Sequence, residues 1–366
     1  MKHLLQPGRI GHLTLRNSVA MAPLTRSRAG AGGVPTALNA LYYAQRASAG
    51  LIITEATNVS PMSAAFELAP GIYTEEQVQG WKPVAAGVRA AGGTMFMQLW
   101  HSGRVSSYAL LNGRAPLSPS GINDDIERLQ VYGEMSNGYY TRIAASPSRE
   151  MTPEDIAQVI DEFRSGAANA MRAGMHGVEL HAANGYLIQQ FLSPQVNQRG
   201  DEFGGCVENR ARLLRKILEA VLESVPAERI GVRLSPFALY NSAGDPHADD
   251  TYGYVAEMLQ QFGIAYVHAA DSNAWGGQGN MSGILAILRP RFTGTIIANA
   301  GLTPETGEHL LAAGGADMVA FGRQFVANPD LVERIGRDGP FNEPDPFTFY
   351  GGAEKGYTDY PKLAAA

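Results

Sequence analysis

Short apolar runs rich in β-branched residues alternate along the chain with longer stretches of helical periodicity, the pattern a parallel α/β fold produces. The runs predict eight strands, at residues 18–21, 51–54, 94–99, 178–181, 230–234, 266–269, 295–298 and 317–321. No G-x-G-x-x-G fingerprint follows an early strand, so a (β/α)8 TIM barrel is expected rather than an open, doubly wound sheet. Helix starts support this register. Thr152 stands before Pro153, Glu154 and Asp155 after strand three, and Thr303, Pro304 and Glu305 repeat the device after strand seven. Residues 101–151 are too long for an ordinary βα connection and rich in Ser, Gly, Pro and Asn. They are expected to form a capping subdomain within a single domain spanning 1–366, although a surface excursion has the same composition.

Composition narrows the class. The chain has 366 residues, 45% hydrophobic and 17% charged, which fits a soluble globular enzyme and excludes a disordered or coiled-coil chain. The net charge of −6 and the lack of a basic stripe with interleaved aromatics argue against nucleic acid. Cys206 is the only cysteine, which rules out an intramolecular disulfide and a cysteine-rich metal site. It lies in a glycine-rich stretch without a cationic neighbour in sequence, so no redox role is read into it. Residues 1–8 lack the apolar segment of a signal peptide, and no later run is long enough to span a membrane, so a cytoplasmic protein is expected. Whether it is a monomer or a homo-oligomer stays open.

Barrels keep their chemistry at the C-terminal ends of the strands. Strand one delivers Ala22, Pro23, Leu24 and Thr25 there, strand two Glu55, Ala56 and Thr57, strand three Gln98, and strand four His181. Strand five delivers Arg233, strand seven Asn299, Ala300 and Gly301, and strand eight Gly322 and Arg323. These are hydrogen-bonding groups for a flat polar heterocycle carrying a phosphate. The glycines and Arg323 fall where barrels often bind that anion, though tight turns alone also explain them. The six residues His181-Ala-Ala-Asn-Gly-Tyr186 carry more. His181 and Asn184 can donate to a carbonyl or nitro oxygen, and Tyr186 brings a proton for a carbanion, a set suited to reducing a polarised double bond. Helix capping and a core tyrosine are the bland alternative.

The string continues as Leu187-Ile-Gln-Gln-Phe-Leu-Ser-Pro194, then Asn197-Gln-Arg199, Asp201, Phe203-Gly-Gly205 and Glu208-Asn-Arg210. It closely resembles the old yellow enzyme family of flavin-dependent ene-reductases, and the likeness runs from Asn17 to the segment Tyr357-Thr-Asp-Tyr-Pro361. The resemblance implies noncovalent FMN across the barrel mouth and NADPH or NADH as reductant. Pro23, Leu24 and Ala56 would contact the isoalloxazine, Thr25 its O4, and Gln98 and Arg233 its pyrimidine edge. Thr25, where another branch carries cysteine, implies the threonine-bearing branch. His181 with Asn184 is one of two usual family pairs. Trp100, Trp275 and Tyr350 resemble aromatic positions lining the substrate site, while Phe66 falls where relatives often carry tyrosine and is not placed in the catalytic set. Expected substrates are activated alkenes or nitro compounds, with nitrate esters and nitroaromatics as the alternative on the same site.

Other classes fit less well. A Schiff-base aldolase needs a lysine at a strand end, and Lys2, Lys82, Lys216, Lys355 and Lys362 occupy none. His101, His181 and His268 lie on separate strand ends without metal-binding spacing, so no metal is expected. A flavin-binding redox sensor or storage protein is the non-enzymatic alternative, against which Tyr186 argues.

Overall fold

The computed structural model describes residues 1–299 and 301–364. Eight parallel strands among them close into a ring: β1 (Val19–Met21), β2 (Leu51–Ile53), β3 (Met95–Trp100), β4 (Gly177–Ala182), β5 (Ile230–Leu234), β6 (Tyr266–Ala270), β7 (Thr295–Asn299) and β8 (Met318–Phe321). Neighbours in sequence are neighbours in space, and β8 pairs with β1 to complete the closed (β/α)8 barrel. The register matters for the site. Glu179 lies opposite Gln98, His181 opposite Arg233, Arg233 opposite His268, and Ala270 opposite Asn299. Side chains alternate along a strand, so Val178 and Leu180 pack outward into the main core while Glu179 and His181 share the inner face. The lower barrel is filled by Ala20, Leu51, Ile53, Phe96, Tyr266, Ile297 and Met318. The hairpin of Gly8–Ile10 and Leu13–Leu15 closes that end with Ile10 and Leu15.

The helices that alternate with the strands around the barrel are α1 (Ala37–Gln45), α2 (Glu75–Ala90), α3 (Pro153–Arg172), α4 (Arg212–Val221), α5 (Ala248–Phe262), α6 (Met281–Leu288), α7 (Pro304–Ala312) and α8 (Arg323–Ala327), with shorter helices in the connections. Both expected helix starts are present. The Thr152 hydroxyl accepts from the Asp155 N–H at 3.2 Å while the Asp155 carboxylate accepts from the Thr152 N–H at 2.7 Å, and Thr303 caps α7 through Thr306. Among the described residues no helix is long and apolar enough to cross a membrane.

Two further segments reach the barrel mouth. Within 101–151, Val131–Glu134 pairs with Tyr140–Ile143 as a hairpin whose Tyr132 stacks on Phe66 at 4.9 Å between ring centroids. Arg104 ties the segment internally through Asp125 at 2.7 Å. The C-terminal segment is strapped on by Arg26, which donates to the carbonyls of Phe349 at 2.9 Å and Gly356 at 2.8 Å, and by Arg28, which donates to that of Thr348 at 2.9 Å. Tyr350 is thereby placed against Phe66, Tyr132 and Tyr140.

Candidate active site

A cavity of about 450 Å³ opens at the C-terminal ends of the strands, within the usual range for small-molecule sites. Pro23, Leu24, Thr25, Ala56, Gln98, His181, Asn184, Tyr186, Arg233, Trp275, Asn299, Gly301, Gly322, Arg323 and Tyr350 all line it. Ala300 lies outside the described residues. Trp100, expected at the substrate site, is fully buried and is not among the residues that line the cavity; its ring packs against two that are, edge-on to Tyr186 at 5.0 Å and tilted against Phe66 at 6.3 Å. Glu55 and Thr57 are also withdrawn into the barrel wall, where the Glu55 carboxylate accepts from the Arg26 N–H at 3.0 Å and the Thr57 hydroxyl donates to the Glu55 carbonyl at 2.8 Å.

The loop after β4 is shaped by two residues with left-handed backbone, Asn184 at φ 57° and Gly185 at φ 74°. A Cβ at position 185 would stand 2.5 Å from the Tyr240 carbonyl oxygen, so only glycine fits. The Asn184 N–H donates to Ser235 Oγ at 2.8 Å and its carbonyl accepts from Asn241 Nδ2 at 3.0 Å. Its side-chain Oδ1 is buried without a hydrogen-bond partner among the described residues, leaving the amide free for a ligand. His181 Nδ1 accepts from the Ala183 N–H at 3.3 Å, which leaves Nε2 as the protonated nitrogen. Burial, followed by the charge of Arg233 and the neighbouring His268, holds this imidazole well below the usual histidine range, so it is neutral near pH 7. Tyr186 begins the short helix Leu187–Leu192, and its ring lies edge-on to both His181 and Trp100 at 5.0 Å. Burial first, then Tyr350 and Tyr132, raise its phenol above the ordinary range and keep it protonated.

Beneath the loop is a polar layer. Arg233 Nη2 donates to Asn299 Oδ1 at 2.9 Å and Nη1 to His268 Nε2 at 2.6 Å, while its buried Nε has no protein partner among the described residues. Burial lowers the guanidinium to about 10, against the pull of Glu179, so it stays charged near pH 7. Gln98 Nε2 donates to Glu179 Oε1 at 2.7 Å. Arg323, the first residue of α8, forms no ion pair among the described residues, and the neighbouring Gln324 Oε1 is buried and unpartnered. Sequence reasoning missed Glu179 and His268 in this layer, and Phe66, Tyr240, Leu302, Thr303, Gln324 and Phe349 in the cavity wall. One signal was available. Glu179 is a charge inside an otherwise apolar strand, two residues before His181 and therefore on the same face.

Residues 3–342 match the family model described as NADH:flavin oxidoreductase / NADH oxidase. The chain is 40% identical over 365 residues to 12-oxophytodienoate reductase 2 of Arabidopsis thaliana, covering 98% of this chain and 96% of that protein. It is 41% identical to morphinone reductase solved in complex with tetrahydroNAD, with a TM-score of 0.93 and coverage of 100% of this chain and 98% of the other. The old yellow enzyme homologue from Zymomonas mobilis is 38% identical with a TM-score of 0.90, over 98% and 99% of the two chains. FMN, the family's cofactor, suits the residues present: unpartnered buried polar atoms on Arg233, Asn184 and Gln324 face one cavity, with the unpaired cation of Arg323 available for a phosphate. The chain belongs to the NADH:flavin oxidoreductase / NADH oxidase family, in its old yellow enzyme group, and is an NAD(P)H-dependent FMN oxidoreductase.

Proposed function

We propose that this flavoenzyme reduces activated alkenes such as enones, enals, maleimides and nitroalkenes. The observation that carries the reading is the convergence of His181, Asn184 and Tyr186, all from one loop, on the cavity that also presents Gln98, Arg233 and Arg323. Bound FMN supplies the redox chemistry, taking hydride from NADH or NADPH and delivering it to the alkene β carbon.

The chain's own residues divide the remaining work. Pro23, Leu24 and Ala56 offer the apolar surface for the isoalloxazine, and Thr25 a hydroxyl for its O4. Gln98 and Arg233 hold the pyrimidine edge. Asn299, Gly301, Gly322 and Arg323 form the phosphate end. The neutral His181 Nε2–H and the free Asn184 amide donate to the carbonyl or nitro oxygen of the substrate, drawing electron density from the double bond. Tyr186, protonated by virtue of its buried site, holds the proton that the α carbon needs. Phe66, Trp275 and Tyr350 bound the substrate space, and Trp100 supports Tyr186 from behind. One cavity serves nicotinamide and alkene in turn, the 101–151 segment caps it within a single domain, and the enzyme acts in the cytoplasm on small molecules.

The test is anaerobic stopped-flow absorbance. The yellow protein is expected to bleach with NADH or NADPH and regain its colour on mixing with an enone or a nitroalkene. A protein that bleaches but is reoxidised only by nitrate esters or nitroaromatics defeats the alkene reading.

A further inference from the structure

We propose that Glu179 is a positioning residue that fixes Arg233 and Gln98 and supplies the buried counter-charge against which the reduction potential of bound FMN is set. The inference rests on the reading of Arg233 and Gln98 as holders of the pyrimidine edge.

Glu179 has no exposed surface and is not among the residues that line the cavity. Three donors from two other strands of the ring converge on it. Gln98 Nε2 on β3 donates to Oε1 at 2.7 Å, and on β6 the Tyr266 hydroxyl donates to Oε2 at 3.0 Å and His268 Nδ1 to Oε2 at 2.9 Å. Because His268 Nδ1 is spent on the carboxylate, Nε2 is the acceptor for Arg233 Nη1 at 2.6 Å. A carboxylate, a neutral imidazole and a guanidinium therefore form one chain, with His268 lowered to about 4 by burial and by Arg233. Burial pushes the Glu179 carboxyl up, but His268, Arg233 and Gln98 outweigh it and hold it below its ordinary value.

Filling the barrel interior does not require a charge, since apolar side chains fill the layer below. What the carboxylate does is hold two cavity-facing groups at once and balance the Arg233 cation. The balance attenuates the positive field at the pyrimidine edge, where negative charge accumulates when flavin is reduced. Removing the carboxylate charge leaves Arg233 uncompensated and favours the reduced flavin. Removing the Tyr266 hydroxyl withdraws one donor from Oε2, sharpens the negative charge and favours the oxidised flavin.

The experiment measures the midpoint potential of the holoproteins by equilibration with redox dyes and FMN affinity by fluorescence titration of the apoproteins. Glu179→Gln is expected to raise the ratio of reduced-to-oxidised FMN affinity roughly tenfold, an upward shift of about 30 mV for a two-electron couple, and to weaken oxidised FMN binding. Tyr266→Phe is expected to shift the potential downward. A wild-type potential in Glu179→Gln, or shifts of the same sign in both variants, overturns the proposal. If Glu179→Gln does not fold, Tyr266→Phe decides alone: a downward shift supports the proposal, and an unchanged or raised potential overturns it. Arg233→Ala separates the two readings. Unchanged FMN affinity there defeats the assignment of Arg233, whereas weakened binding there with an unmoved Glu179→Gln potential defeats only the role of Glu179.

Discussion

Replacing Tyr186 by phenylalanine deletes a single oxygen. The ring's edge-on contacts with His181 and Trp100, both at 5.0 Å, are unaffected, and the cost to folding is about 1 kcal/mol or less, that of one hydroxyl. The cost to chemistry is larger. A positioned general acid contributes roughly 10²- to 10⁴-fold, or about 3–5 kcal/mol of barrier at ~1.4 kcal/mol per decade. Burial holds the phenol above its ordinary range, so the wild-type donor is fully protonated across neutral and mildly alkaline pH, and the loss in the variant is expected to be flat with pH there. Anaerobic stopped-flow separates the half-reactions: flavin bleaching by NAD(P)H stays within about twofold of wild type, while reoxidation by an enone slows by the factor above. Reduction of a nitroaromatic or a nitrate ester, which needs no proton at carbon, survives. Enone reoxidation at the wild-type rate in Tyr186→Phe refutes the assignment of the proton donor.

Two further outcomes follow from the fold. His101, lowered to about 3, His268, lowered to about 4, and His181, lowered well below its usual range, are all held neutral first of all by burial and regain a normal pKa of about 6.5 when the chain unfolds. The unfolded chain therefore binds more protons below pH 6.5, and stability falls on acidification: at pH 5 each group costs up to ~2 kcal/mol, or roughly 6 kcal/mol together. For a chain of 366 residues this lowers Tm by roughly 8 °C between pH 7 and pH 5; calorimetry showing a level Tm rejects the protonation argument. Gly231→Ala puts a Cβ 2.1 Å from Cζ of the Tyr266 ring, an overpacking that costs roughly 1–3 kcal/mol. A lower Tm and weaker FMN retention are expected, because the same phenol anchors Glu179; wild-type values for both dismiss the coupling.

The barrel was legible because its strands are short, mostly apolar, buried on both faces and separated by capped helices, and that is written locally. The sequence expectation at 94–99 and the observed Met95–Trp100 differ by one residue, as strand ends generally do. Residues directly at strand ends were equally readable, since the C-terminal face of a barrel gathers them irrespective of side-chain detail. What was not legible depends on which groups meet across the ring. Glu179 is hidden in an apolar run, and its partners Tyr266 and His268 lie 87 and 89 positions away. Trp100 shows the converse error. The resemblance suggested the cavity for it, but Phe66, bridged to the excursion hairpin through Tyr132, belongs to the cavity wall and Trp100 packs against it without lining the cavity. No local periodicity encodes that arrangement. Tyr240 and Tyr350 likewise enter from loops whose course is fixed by distant contacts such as those of Arg26.

The in-register ring has a consequence for divergence. Gln98, Arg233 and Asn299 stand on rigid strands whose spacing is set by backbone pairing, whereas Phe66, Tyr240, Trp275 and Tyr350 stand on connections that pairing does not constrain. Insertions or exchanges in those connections redraw the shape of the reactant chamber while leaving the seat of the prosthetic group untouched. A library confined to such positions should therefore yield variants that stay coloured yet differ in what they accept.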